Sequence, residues 1–307
     1  MAVDAGALSE AGQPLRRARL RLSGLFWRRP WLKALALLLP PLAAFLIVYI
    51  GSLASLVVAS FWTINSFTAE IQHTWTLANY RDIVGSGEPY LHTAGLTVKI
   101  AAAVTLTDIV LAFPLAFFMA RLASRRTRAV LFVMVLLPLW SSYLVRIYAW
   151  QAILSHDGAI NWALNGIGLG DQNVAYTNWA MWIVFSYVWL PFMVLPIYAA
   201  LERIPDSYLE ASADLGARGL KTLRSVILPL ALPGIVAGSI FTFSLTLGDY
   251  ITPLLVGGPN SDFLGIEIYR FIGVPNIPFA AALAAIPMLI MAVYLIAAKR
   301  LGAFEAL

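Results

Sequence analysis

Six stretches of this chain are too long and too apolar to remain in water. They cover about 32–61, 92–120, 129–153, 178–201, 225–247 and 277–298. Each is long enough to cross a hydrocarbon layer about 30 Å thick as a helix, which takes roughly 20 residues. The expected fold class is therefore an all-α membrane protein with six transmembrane helices. Only 12% of the residues are charged against 60% hydrophobic, a balance foreign to soluble domains. Pro40, Pro41, Pro114, Pro138, Pro191 and Pro196 fall inside spans. Such breaks are tolerated where neighbouring helices or water satisfy the freed carbonyls.

The chain divides into a basic tail, 1–30, and a membrane domain, 31–307. The tail could pass for the start of a signal peptide, but the apolar run after it far exceeds the usual 7–15 residues, so it is read as a retained anchor. Basic residues set the orientation. Seven lie in the tail through Lys33, four in 121–128, four in 202–224, and Lys299 and Arg300 near the end, whereas the opposite loops hold Arg81 and Arg270 alone. Arginine and lysine stay cytoplasmic, so both termini are placed in the cytosol. Trp31, Trp62, Trp162, Trp179 and Trp182 near span ends suit the two interfaces. The outward loops are acidic, carrying Glu70, Asp82, Glu88, Asp157, Asp171, Asp249, Asp262 and Glu267; the positive-inside bias accounts for that. The tail arginines, Arg16, Arg17, Arg19, Arg21, Arg28 and Arg29, are read as a topology signal against anionic lipid.

Several chemistries are excluded. There is no cysteine, hence no disulfide, thiol nucleophile or iron–sulfur ligand. His73, His92 and His156 have unrelated spacings, and no metal site is expected. No G-x-x-x-x-G-K-[ST] occurs, so any ATP is bound by another polypeptide. No cofactor is called for, and nothing points to nucleic acid.

The segment before the fifth span, 202–224, departs from its surroundings. Pro205-Asp206-Ser207 precedes a short amphipathic stretch, and Ser207 with Glu210 has the spacing of a capping box. Tyr208, Ala211, Ser212 and Leu215 share one helical face, and Gly216 is placed to end the helix with a positive φ. A helix of about two turns is marginal alone and needs something to dock against. Its alanines and serines bury too little area for firm lipid binding, which favours a protein partner. Pro229 and Pro233 are expected to set how the next span enters the membrane.

Glu210-Ala211-Ser212, Gly216, then Val226-Ile227-Leu228-Pro229 resembles the "EAA…G…I-x-L-P" loop of ABC importer permeases. Ser212 stands for the second alanine and Val226 for isoleucine, both shape-preserving. The stretches 112–121, 137–161 and 247–259 look like the spermidine/putrescine branch of that family, and the resemblance covers about 40–300. It implies a bacterial inner-membrane permease subunit, itself no enzyme. Its partners would be a dimer of ABC ATPase subunits, a second permease subunit of different sequence and an extracytoplasmic solute-binding protein. In that family the loop forms a cytoplasmic coupling helix seated in a cleft of the ATPase, which assigns coupling to Glu210, Ala211, Ser212, Asp214, Gly216 and Pro229. Polyamines are the implied solute; related branches carry opines, iron and other small solutes. An ATP-independent secondary transporter would need inverted repeats or a proton-relay series of carboxylates, and neither is evident.

Lys99, Asp108 and Arg146 are the ionisable residues within spans, each costing at least about 2.5–3.5 kcal/mol at a span centre. Lys99 is close enough to the outer end to snorkel. Asp108 sits roughly 20 Å and Arg146 roughly 27 Å from the cytosolic end of its own span, a gap that an arginine can bridge, so an Asp108–Arg146 pair is one expectation. The other is a polyamine path, since ammonium groups are held by carboxylates and aromatic faces. Its candidates are Asp108, Trp140, Arg146, Tyr148, Trp150, Asp249 and Tyr250. Gly257-Gly258-Pro259 is read as a turn whose glycines permit positive φ.

Overall fold

A computed structural model describes residues 30–300 except 66, 86–88, 169, 171–173, 260 and 275. The tail expected over 1–30 therefore lies almost entirely outside the described residues, as do Glu88 and Asp171. The first span is its own compact unit: α1 (Pro30–Phe45), a π turn (Leu46–Ile50) and α2 (Gly51–Ala59). The second unit opens with a two-residue antiparallel pairing that the all-helical expectation did not include. There β1 (Thr63–Ile64) meets β2 (Ile71–Gln72), Thr63 opposite Gln72.

Helices make up most of this unit: α3 (Ala78–Val84), α4 (Tyr90–Phe117), α5 (Arg125–Trp140), α6 (Tyr143–Leu154), α7 (Ala159–Gly166) and α8 (Asn178–Glu202). Then come α9 (Asp206–Asp214), α10 (Leu220–Thr222), α11 (Leu228–Leu247), α12 (Ile251–Val256), α13 (Leu264–Gly273) and α14 (Ile277–Arg300). A π turn at Phe118–Leu122 extends α4, and another at Leu223–Ile227 joins α10 to α11. Five apolar spans result, Lys33–Ala59, Tyr90–Leu122, Asn178–Glu202, Leu220–Leu247 and Ile277–Arg300, each within a few residues of its expected position. Side-chain caps set several helix starts, Asn276 ahead of α14 among them, where it accepts from the Phe279 amide at 3.2 Å. Ser124 accepts from the Thr127 amide at 3.3 Å ahead of α5, and Thr177 from the Ala180 amide at 3.2 Å ahead of α8.

The third expected span, 129–153, is not one helix. It breaks at Ser141 and Ser142, and the two halves are bent by 95°. The chain has six spans if this bent pair is counted as one. Pro138 supplies no amide to the carbonyl four residues back. The Ser141 hydroxyl and amide then both turn to the Pro138 carbonyl, at 2.8 and 3.3 Å, and both serines take extended backbone angles. Hydropathy does not register such a break, because the sequence is apolar on both sides of it, from Val135 to Trp140 and again from Tyr143.

The centre of the second unit is a three-helix contact of α4, α8 and α11. Ala112, Ala116 and Met119 of α4 pack with Met193, Ile197 and Leu201 of α8 and with Ala231 and Ile235 of α11. These helices are apolar on every side, so hydropathy does not choose the buried face. Small residues do, because lipid supplies no hydrophobic drive between helices and association rests on close contact. A Cβ on Gly234 would stand 2.5 Å from the Ala200 Cβ and 2.6 Å from the Pro196 carbonyl; one on Gly238 would stand 2.7 Å from the Met193 sulfur. The glycines are what let α11 reach α8.

Gly234→Ala should therefore destabilise the detergent-solubilised protein by about 1–3 kcal/mol, seen as a lowered thermal midpoint. Gly95→Ala, with open space at the new Cβ, should change it by less than about 0.5 kcal/mol.

Candidate coupling site and solute path

The short helix anticipated in 202–224 is α9, but it starts two residues early. Pro205 is its N-cap, extended at φ −65° and ψ 143°, and Asp206 is its first residue. The capping box expected from Ser207 and Glu210 does not form; no side chain caps this end. Pro205 sets φ and has no amide to satisfy, while Asp206 places a negative charge at the positive end of the helix dipole.

The other end agrees with expectation. Gly216 has φ +75°, the Ala217 amide donates to the Ser212 carbonyl at 3.0 Å, and the Gly216 amide to that of Ala213 at 2.9 Å. This is a Schellman ending. Nothing lies within 4 Å of a Cβ added at Gly216, so backbone conformation alone demands glycine there.

Ser212 is buried, and its hydroxyl meets that of Thr222 at 3.1 Å, which fastens α9 to α10. The serine in place of an alanine thus makes a bond that alanine could not. Glu210, Ala211 and Asp214 are exposed, with Tyr208 at 52% and Leu215 at 84% exposure. Tyr208, Ala211 and Leu215 border a shallow groove with Ala217, Lys221 and Val226. An open face with two large apolar side chains suits docking on another protein. The fifth span begins at Leu220, ahead of the two prolines expected to set its entry. The Pro229 ring crowds the carbonyl four residues back, that of Ser225, which lies inside the π turn at Leu223–Ile227.

The intramembrane charges are arranged otherwise than expected. Asp108 is fully buried in α4, and neither carboxylate oxygen has a hydrogen-bond partner among the described residues; the same holds for Nε and Nη1 of Arg146. The expected Asp108–Arg146 pair is absent. The break before α6 redirects the helix carrying Arg146, and its guanidinium lies 5.7 Å from the centre of the Tyr143 ring.

Asp249 and Tyr250, just past the C-terminal end of α11, do come together at one cavity of about 260 Å³, which Tyr143, Trp189, Ser244 and Gly248 also line. Asp249 accepts from the Tyr143 hydroxyl, from the Thr252 hydroxyl at 2.8 Å, and from the Ile251 and Thr252 amides at 2.8 and 3.4 Å. Burial pushes its carboxyl above the ordinary carboxylate range, and those four donors oppose the shift. Tyr143 stacks on Trp189 with centroids 5.6 Å apart, and Tyr250 on Tyr269 at 4.8 Å. A carboxylate so fully bonded acts on a ligand through its charge; the Tyr143 ring already has Trp189 stacked on it and the Arg146 guanidinium near it, which leaves the part-exposed Tyr250 ring as the aromatic surface open to a cation.

Trp140 (88% exposed), Tyr148 and Trp150 do not line this cavity. Trp150 instead packs on Tyr187 at 5.3 Å, beside a separate groove that Trp182 and Ser186 border. Tyr143 and Trp189 were missed from sequence, since no local pattern links them to Asp249, far along the chain from both. Gly257 and Gly258 do not adopt positive φ. Their lack of a side chain serves close approach: a Cβ on either would overlap a backbone carbonyl, that of Pro253 or of Tyr176. No group of three or more His, Asp or Glu that could hold a metal occurs among the described residues.

The pattern of the family described as binding-protein-dependent transport system inner membrane component matches residues 112–303. The chain belongs to this family of ABC importer permeases. The permease is 45% identical to the inner membrane ABC transporter permease protein YdcU of Escherichia coli K12, over 98% of this chain and all of that one. It is 32% identical to the spermidine/putrescine transport system permease protein PotB of the same organism, over 74% and 82%. A bacterial ABC transporter for import of the acidic polysaccharide alginate contains a chain of the same fold, at TM-score 0.72 and 20% identity, covering 91% of the permease and 97% of that chain. The fold is thus that of an importer permease in the inner membrane, and the ATPase is a separate subunit.

At Gly216 the φ of +75° ranks substitutions. Asparagine should retain most uptake by the assembled transporter, alanine less, and valine least, the non-glycine conformation costing about 1–2 kcal/mol. Uptake per assembled complex, measured with the total of membrane-inserted permease held equal, checks the order.

Proposed function

We propose that the permease forms half of an ATP-driven path that imports polyamines of the spermidine/putrescine type. Two observations support the solute: the similarity to a permease named for spermidine and putrescine across three quarters of the chain, and the outer cavity where a carboxylate stands among aromatic rings. The second carries the chemistry. An alkylammonium chain is recognised by negative charge and by the faces of tyrosine and tryptophan; Asp249 supplies the charge and Tyr250 a ring, with the Tyr143–Trp189 stack as the cavity wall. The arginine-rich side, with both termini and α9, faces the cytosol. There α9 docks on an ATPase subunit through the exposed face around Glu210, Ala211 and Leu215. A second permease of different sequence completes the path, and an extracytoplasmic binding protein delivers solute. Another small solute, an opine or chelated iron among them, is the reading to be separated from this one, since YdcU, at higher identity, carries no solute in its name.

The test is ATP-dependent uptake of radiolabelled spermidine and putrescine into vesicles carrying the permease with its neighbouring gene products. Saturable uptake abolished by Glu210→Lys supports importer, solute and docking face together. ATPase activity stimulated by a different solute's binding protein, without polyamine uptake, discards the polyamine and keeps the importer. Uptake that persists without ATP sinks the coupling scheme.

Asp249→Asn keeps Oδ1 for the Ile251 and Thr252 amides and turns its NH2 to the Tyr143 and Thr252 hydroxyls, which can accept, but removes the charge; it should raise half-saturation for spermidine about tenfold, the equivalent of 1.4 kcal/mol. An unchanged value would assign Asp249 to capping α12 alone.

A further inference from the structure

The helix α9 continues covalently into α8 on one side and into α10 and α11 on the other. It has no covalent link to α4, the helix that carries Asp108. Beside the apolar packing of Leu209 on the cluster that includes Met119 and Ala120, one side chain bridges that gap by hydrogen bonds. Arg121, in the π turn at the end of α4, donates from Nη2 to the carbonyl of Leu201 at 2.7 Å and to that of Ile204 at 2.5 Å. From Nη1 it donates to the Asp206 carboxylate at 2.9 Å. Its side chain is only 12% exposed, whereas that of Asp206 is 83% exposed. One guanidinium therefore reaches from the end of α4 to the end of α8, across the connecting turn and onto the first residue of α9.

Arg128 of α5 braces the same junction. It donates from Nε to the Met119 carbonyl at 2.9 Å and from Nη2 to that of Ala120 at 3.2 Å, and pairs with Glu202 at 3.5 Å. The acceptors are carbonyls at helix ends, which have no partner within their own helix and which cations favour. Glu202 and Asp206 border a polar cleft with Arg121, Arg128 and Arg203, so the local balance is basic.

We propose that Arg121 is a positioning residue for transport: it makes α4 follow α9 when the ATPase moves α9. The proposal rests on the reading of α9 as the docking helix. Arginine suits the task because its planar fork holds three acceptors in a fixed arrangement, which a lysine ammonium on a flexible stem does not. Rigid linkage matters because α4, which carries Asp108, must move with α9 rather than slide past it. From Arg121 to Asp108 is 13 residues of continuous helical backbone, roughly 20 Å, through the π turn and Pro114, so a displacement at the joint is passed along α4 towards Asp108.

The chain has no cysteine, so labels can be placed without background from it. Spin labels at Leu122→Cys and Ser207→Cys, both exposed positions, would report the distance between the end of α4 and α9 in the full transporter with and without trapped ATP. The same preparations give uptake of spermidine per ATP hydrolysed. In the parent the label distance should be the same in both states. In Arg121→Gln it should differ between states or broaden, and uptake per ATP should fall about tenfold, a typical coupling factor. Arg121→Lys and Asp206→Asn should lower the ratio less, by about threefold, since each keeps part of the joint.

A purely structural role would reduce assembly, hydrolysis and uptake together and leave the ratio and the label distance alone. If Arg121→Gln does not assemble, Arg121→Lys and Asp206→Asn decide by the same two readouts. Parental distance and ratio in the variants that assemble overturn the proposal. Glu210→Lys separates the two levels. If it abolishes uptake while the arginine variants behave as the parent, only the Arg121 role fails; if it changes nothing, the docking reading of α9 fails first. The label distance does not depend on which solute is carried.

Discussion

The approach of α11 to α8 is the contact on which the remainder depends. In lipid there is no water to be released between apolar helices, so their association needs shape, and Gly234 and Gly238 supply it. Once α8 and α11 touch, α4 packs into their groove through Ala112 and Ala116. The C-terminal end of α11 and Trp189 of α8 then border the cavity around Asp249 together with Tyr143 of α6, and the arginine-rich ends of α4 and α8 frame α9. Both candidate sites are consequences of one packing arrangement. That is why a single methyl group at position 234 is expected to be felt so widely.

The two sites use polar groups in different ways. Around α9 nearly every polar contact closes a helix end: Gly216 with its two returning amides, Ser212 with Thr222, Arg121 and Arg128 with the carbonyls of α8 and α4. This is a stiff junction with an exposed face. Within the membrane the bonding is incomplete, with Asp108, Arg146, Ser186 and Trp189 each holding a buried atom without a partner among the described residues. Unpartnered buried polar atoms are costly. Most of them lie within the spans, and Nε of Arg121 at the α9 junction is another.

How much of this was legible in the sequence depended on range. Span positions were legible because hydropathy reports directly on the solvent each segment needs, and five of six agree within a few residues. The end of α9 was legible because a positive φ almost requires glycine. Its beginning was misread: Ser207 and Glu210 have capping-box spacing, but Pro205 and Asp206 start the helix first. The break at Ser141 was missed because a proline inside a span is ordinarily absorbed, and nothing local says that Ser141 will take the Pro138 carbonyl instead. The Asp108–Arg146 pairing failed with it, since the depth estimate assumed a straight helix. Asp249 and Tyr250 were found, as a carboxylate and a ring at a span end. Tyr143 and Trp189 were not, because their proximity to Asp249 is tertiary.

The bend between α5 and α6 carries one further consequence. Where a helix stops and another starts at 95°, the last carbonyls of the first and the first amides of the second lose their helical partners. Hydrocarbon cannot replace them, and irregular backbone at membrane depth is stable only against protein or in a hydrated cavity. Ser141 and Ser142 are both exposed on this chain. The corner they form is therefore an unfinished wall, and the bilayer alone is not a sufficient solvent for the isolated subunit. Its burial has to come from a second subunit or from a column of water, and an importer's interior provides both.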